Sequence, residues 1–229
     1  MRVLYAELPQ RRNLMDFGKL FQSVEDAVYE VMVWILLLPK TLIRSMFRPR
    51  WAIQYVNEEW EKKPEDRFDE FLSPVLLWLM VAVLPLTVST LVQNGNIKTV
   101  QDLVGAPQDG LLSQTLYAMI IPFTYITWME WMSNRPVRKS TLRRSFYIHC
   151  YALAPAQFIY GAFAILTIWN DLFILFQVLS MILLVTYEIF VFQAEMKITF
   201  GKAVLYAAIP QLVLGALLVL LIRFYMSPM

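Results

Sequence analysis

The chain is poor in the residues that most reactive centres require. Its 229 residues contain one histidine, His149, and one cysteine, Cys150. A single cysteine excludes an intrachain disulfide, and so few Cys and His ligands exclude a Cys- or His-rich zinc site. The two residues are adjacent, so on a helix their side chains point about 100° apart and do not face each other. HExxH, a nucleophile elbow and a glycine-rich phosphate loop are all missing. Arg135-Pro136 resembles a fragment of a lipid-phosphatase motif, but the upstream lysine and the histidine-bearing parts of that motif are absent. The expectation is a non-enzymatic protein without a cofactor or metal.

Charge is scarce as well. Charged residues make up 17% of the chain, well below the roughly one quarter usual in soluble domains. The net charge of +2 is small. The only compact basic stretch, residues 135–144, is short and is accounted for by membrane topology or anionic headgroups, so no nucleic-acid partner is expected. Residues 1–10 carry Arg2, Glu7 and Pro9 and lack the apolar core of a signal peptide, so insertion into a membrane would have to be driven by internal segments.

Apolar residues, in contrast, are abundant. They make up 58% of the chain, the mean hydropathy is +0.51, and aromatics with seven Trp reach 14%, which suits two interfacial belts. About 20 mainly apolar residues cross a bilayer. Five windows of this kind are expected to be transmembrane helices: 72–92, 115–132, 146–169, 172–193 and 203–222. Backbone groups cannot stay unpaired in lipid, and the runs are continuous rather than alternating, so helices are predicted and a β-barrel is not. Asn170-Asp171 separates the third and fourth windows as a tight hairpin, and Asn94-Gly95-Asn96 marks a turn in an outer loop over 93–114.

The cations set an orientation. Eleven of the twenty Lys and Arg precede the first window. The loop 133–145 adds Arg135, Arg138, Lys139, Arg143 and Arg144, and the loop 194–202 adds Lys197 and Lys202. Only Lys98 and Arg223 fall on the other side. The positive-inside rule then predicts a multi-pass protein of the cell inner (plasma) membrane, with the N-terminus cytoplasmic and the C-terminus external.

The first seventy residues read as amphipathic helices. Phe17, Leu20, Phe21, Val24, Val28, Val31 and Met32 recur at helical spacing opposite Lys19, Gln22, Glu25, Asp26 and Glu30. The pattern becomes wholly apolar over 31–38 and is expected to end at Pro39, followed by short pieces over 42–50 and 51–62. Eight apolar residues are too few to span, so these helices are expected to lie in the cytoplasmic interface, with a re-entrant dip over 29–38 as the alternative. They either pack on the membrane domain or form a docking platform. The predicted fold is therefore all-α and integral to the membrane. It has an interfacial region over 1–70, five transmembrane helices over 71–224 and a short external tail over 225–229.

Ionisable groups inside a bilayer are default candidates for function. Glu130, His149 and Glu188 fall at similar depth near the cytoplasmic ends of the second, third and fourth windows. They either tie helices together or handle a proton or ligand. Arg135, Arg138, Lys139, Arg143 and Arg144 lie just below as candidate headgroup binders. Gln157, Gln177 and Gln211 suit hydrogen bonds between helices. Pro85, Pro122, Pro155 and Pro210 each lie inside a window, where they remove a donor and kink the helix.

Two segments carry a family resemblance. Arg144-Ser-Phe-Tyr-Ile-His-Cys-Tyr-Ala-Leu-Ala-Pro155 resembles the opening of the third helix in the bacterial form of Yip1-type membrane domains. Gly201-Lys-Ala-Val-Leu-Tyr-Ala-Ala-Ile-Pro210 resembles that family's approach to its fifth helix. The resemblance covers about residues 70–224 and implies five spans after a cytoplasmic N-terminal region. The Asp-Leu-Tyr-Gly-Pro signature of the eukaryotic trafficking members is missing, so the resemblance implies architecture rather than a trafficking role. The expected function is a scaffold or accessory protein that binds membrane lipids and a membrane or cytoplasmic protein. The alternative is a small transporter or channel subunit, for which homo-oligomerisation is expected.

Overall fold

A computed structural model describes residues 17–93, 108–133, 136, 138–166 and 173–226. Every regular element among them is helical. Helix α1 spans Phe17–Phe47, α2 Trp51–Glu61, α3 Pro74–Gln93, α4 Gln108–Ser133, α5 Lys139–Leu166, α6 Phe173–Met196 and α7 Phe200–Met226, with a 3-10 turn at Pro64–Asp66. The outer-loop turn at 94–96, the hairpin turn at 170–171 and the tail from 227 lie outside the described residues.

The five apolar windows fall on α3 to α7. Among the described residues, two stretches are long and apolar enough to cross a membrane, Val178–Met196 in α6 and Phe200–Leu217 in α7, and Pro74–Pro85 in α3 is a shorter apolar helix. Five spans of that quality are not found. Helices α4 and α5 dilute their apolar residues with Thr, Tyr, Trp and Pro, and α5 adds His149 and Gln157. The basic loop is also shorter than expected. Helix α5 begins at Lys139, so Arg143 and Arg144 are helical. Its start is fixed by Thr141 Oγ1, which accepts from the Arg138 N–H at 3.1 Å and donates to the Arg138 carbonyl at 2.7 Å.

The break expected at Pro39 does not occur, because α1 runs through it to Phe47. The proline leaves the Ile35 carbonyl without its usual donor. Beyond it, tertiary contacts hold the helix. Thr41, Leu42 and Ser45 are buried. Thr41 Oγ1 donates to the Leu37 carbonyl at 2.6 Å and accepts from the Leu72 N–H at 3.0 Å. The Tyr187 hydroxyl donates to the Met46 carbonyl at 2.8 Å. The N-terminal half of α1 is different, since every side chain over 22–33 is exposed.

Helix α2, expected to lie flat at an interface, instead buries Trp51, Ala52, Ile53, Tyr55, Val56 and Glu59. Trp51, Tyr55, Phe71 and Tyr151 form one aromatic cluster with ring centroids 4.8–6.0 Å apart. Aromatic pairs of this kind add about 0.5–1.5 kcal/mol each beyond the area they bury. The linker after α2 is pinned by Glu59, whose buried carboxylate accepts from Lys62 Nζ at 2.6 Å and from the Phe68 N–H at 2.7 Å. Phe68 sits at φ 64, a left-handed conformation that needs such an anchor.

Helix α5 is central and packs against α1, α2, α3, α4 and α6, while α7 closes on α6 and α4. Two buried tyrosines donate to main-chain carbonyls of other segments. Tyr151 donates to Leu72 at 2.6 Å, and in α4 Tyr125 donates to Ala207 at 3.1 Å. Helices α3 and α5 approach closely where Gly161 faces Pro85. A Cβ at Gly161 would stand 2.5 Å from the Pro85 Cβ.

Candidate functional site

At the end of the bundle nearest α2, α5 brings Arg144 and Ser145, and one turn on His149, toward its neighbours. Each meets a different carboxylate, Ser145 that of Glu130 on α4, and His149 and Arg144 those of Glu188 and Glu195 on α6, seven residues and about two turns apart on one face.

The deepest contact joins His149 and Glu188, both fully buried. His149 Nδ1 lies 2.9 Å from both Glu188 oxygens, but only Oε1 meets hydrogen-bond geometry. Tyr125 stacks on the imidazole with centroids 6.0 Å apart, and Phe192 tilts against it at 6.4 Å. His149 Nε2 has no partner among the described residues. In so apolar a setting an isolated charge is expensive.

Glu130 does not join this pair. It is half-buried and accepts from Ser145 Oγ at 3.3 Å, one turn from His149. Arg144 forms a two-point ion pair with Glu195, both contacts at 2.8 Å, and its Nε donates to Asn57 Oδ1 at 2.7 Å. That guanidinium ties α2, α5 and α6 together. Glu195 and Asn57 were not singled out from the sequence. The seven-residue spacing from Glu188 to Glu195 was the available signal for the first, while the docking of α2 left no signal for the second.

Between these groups lies a small pocket of about 40 Å³, lined by Glu130, Ser133, Thr141, Arg144, Ser145 and Glu195 with Met129 and Met196. It accommodates a few waters at most. It reaches Ser145 but does not include His149 or Glu188 in its wall.

The remaining basic candidates are more peripheral. Arg138 and Lys139 are exposed. Arg143 Nε donates to the Tyr147 hydroxyl at 2.9 Å, and its guanidinium lies 5.5 Å from the same ring. Arg135 and the Gln177 side chain lie outside the described residues. Gln157 is buried, and Gln211 Oε1 is buried without a partner.

A second polar centre surrounds Glu59. Its carboxylate, hydrogen-bonded to Lys62 Nζ, pushes the Lys62 ammonium above its ordinary pKa. Burial first, and the Glu59 charge second, push the Tyr55 phenol above its ordinary value. Among the described residues no three His, Cys, Asp or Glu converge as a metal site. Comparison with protein-family models, with curated proteins and with solved structures finds no match to this chain.

Proposed function

We propose that this chain is a non-enzymatic inner-membrane protein with five spans, α3 to α7, that acts as a scaffold or accessory on the cytoplasmic face. The observation that carries the reading is α1. Its side chains over 22–33 are exposed, with Val24, Val28, Val31 and Met32 opposite Glu25, Asp26 and Glu30, and the apolar side continues with Ile35 at 65% and Leu36 at 68% exposed. An exposed apolar face of this length, opposite a charged one, requires an apolar surface to lie against. A bilayer or an apolar partner surface supplies one, and water does not. The helix is also fastened to the bundle at its other end through Thr41 and Met46, which suits an arm that presents something held elsewhere.

Five spans are supported by length. Helices of 20, 26, 28, 24 and 27 residues each reach about 30 Å or more at 1.5 Å per residue. The cation bias gives the direction, and the Yip1-like segments at 144–155 and 201–210 agree with the span count. The scaffold reading is tested by mild-detergent pull-down of the full chain against one lacking residues 1–38. Loss of a specific partner with the deletion is expected. Identical partner sets sink the reading.

A transporter or channel subunit is the second reading, favoured by the fully buried His149–Glu188 pair and the polar pocket one turn away. Proteoliposome flux that changes in Glu188→Gln supports it. Tight vesicles, with no uptake of protons or small solutes, count against it.

A further inference from the structure

Three arginines at the corner between α1 and α2 have no anionic partner in the described chain. Arg44, Arg48 and Arg50 are exposed, and among the described residues no carboxylate lies within ion-pair distance of any of them. Their placement on α1 is ordered. At about 100° per residue, Thr41, Leu42 and Ser45 turn into the bundle. Ile43 and Phe47, 57% and 75% exposed, form an apolar stripe. Arg44 and Arg48 form a cationic stripe beside it, and Arg50 follows at the start of α2.

Two contacts set the height of this patch. Arg50 lies over the Phe190 ring at 5.9 Å, and Tyr187 holds the Met46 carbonyl. Both α6 residues belong to the membrane-length stretch Val178–Met196. Phe190 and Tyr187 stand about 9 and about 13 Å from its end at 1.5 Å per residue. A guanidinium at that level, beside exposed apolar side chains, needs an anion, and none of the described residues supplies one. Arg144, partly buried, has its anion in Glu195.

We propose that Arg44, Arg48 and Arg50 bind the phosphodiester of an anionic glycerophospholipid, with an acyl chain along Ile43 and Phe47. The proposal rests on the membrane reading above. Planar guanidinium groups suit phosphate oxygens. Three cations without a carboxylate favour a lipid of net negative charge over a zwitterionic one, whose own ammonium they repel.

The test uses the full chain in mild detergent, titrated with phosphatidylglycerol or phosphatidylcholine and read by native mass spectrometry and thermal unfolding. Wild type is expected to retain phosphatidylglycerol and gain stability from it, with phosphatidylcholine weaker. The triple variant Arg44→Gln/Arg48→Gln/Arg50→Gln is expected to lose about tenfold or more in affinity. The double variant Lys197→Gln/Lys202→Gln, at exposed cations assigned to the same side, is expected to keep it. Equal affinity in the two variants, or no lipid preference in wild type, overturns the proposal. If the first variant does not fold, the preference of wild type and of the lysine triple Arg44→Lys/Arg48→Lys/Arg50→Lys still decides it. Detergent-phase partitioning tests the membrane reading separately. A chain that stays in the aqueous phase sinks that reading, whereas one that partitions but shows no phosphatidylglycerol preference sinks only the lipid site.

Discussion

At the scale of single residues, the energetics concentrate in the buried pair. Removing one partner leaves the other buried without compensation, so His149→Ala and Glu188→Ala are each expected to lose about 3–5 kcal/mol. Replacing both with apolar residues of similar size, His149→Leu with Glu188→Met, is expected to restore much of that loss. Denaturant unfolding in detergent measures the cycle, and a double variant less stable than either single one would show that the two groups do not act as a pair. The centre at Glu59 gives a pH dependence. Lys62 and Tyr55 both have raised folded pKa values, so each binds its proton more tightly folded than unfolded. Their contribution is complete below about pH 10, near the ordinary values of both groups, and fades as pH rises beyond it. Melting curves from pH 8 to 11 are expected to fall over the upper part of that range, and less steeply in Tyr55→Phe.

At the scale of elements, two contacts decide how helices sit. Gly161 allows α5 to meet the Pro85 ring of α3, so Gly161→Ala is expected to cost about 1–3 kcal/mol through overpacking. A variant as stable as wild type would mean that the helices separate there at no cost. Arg144 fastens α2 to α5 and α6. Arg144→Gln is expected to lose about 1–3 kcal/mol, the range for hydrogen bonds to charged groups. It is also expected to raise amide exchange in α2 more than in α3. Uniform exchange along the chain would remove that role. The sequence showed where these elements lie but not how they dock. The periodicity of 17–32 and the apolar runs of α3 to α7 were plain, because helix formation needs only local pattern. That α1 would pass through Pro39 was not legible, because the groups that hold it, Leu72 and Tyr187, lie 31 and 141 residues from their partners along the chain.

At the scale of the whole molecule, direction across the bilayer is the decisive quantity. In a Cys150→Ser background, Ser227→Cys is expected to react with a membrane-impermeant thiol reagent added to intact cells, and Ser140→Cys only after permeabilisation. The reverse pattern would invert the proposed topology. The candidate site was half legible at this scale. Placing Glu130, His149 and Glu188 at one depth required only helix rise and the order of the windows. Which two would touch depended on the rotation of α4, α5 and α6 about their own axes.

The sequence by itself determined the helical character of the described elements, the places of α3 to α7 and the separation of cations along the chain. Those follow from apolar period, run length and local charge, which need no knowledge of neighbours. Only the tertiary structure decided that His149 pairs with Glu188 while Glu130 stays with Ser145, and that Arg144 spends its charge on Glu195. It also decided that α2 is part of the core while the arginines at the α1–α2 corner find no anion among the described residues. Each of these depends on which faces of distant helices meet, and packing settles that through shape and desolvation across the whole bundle.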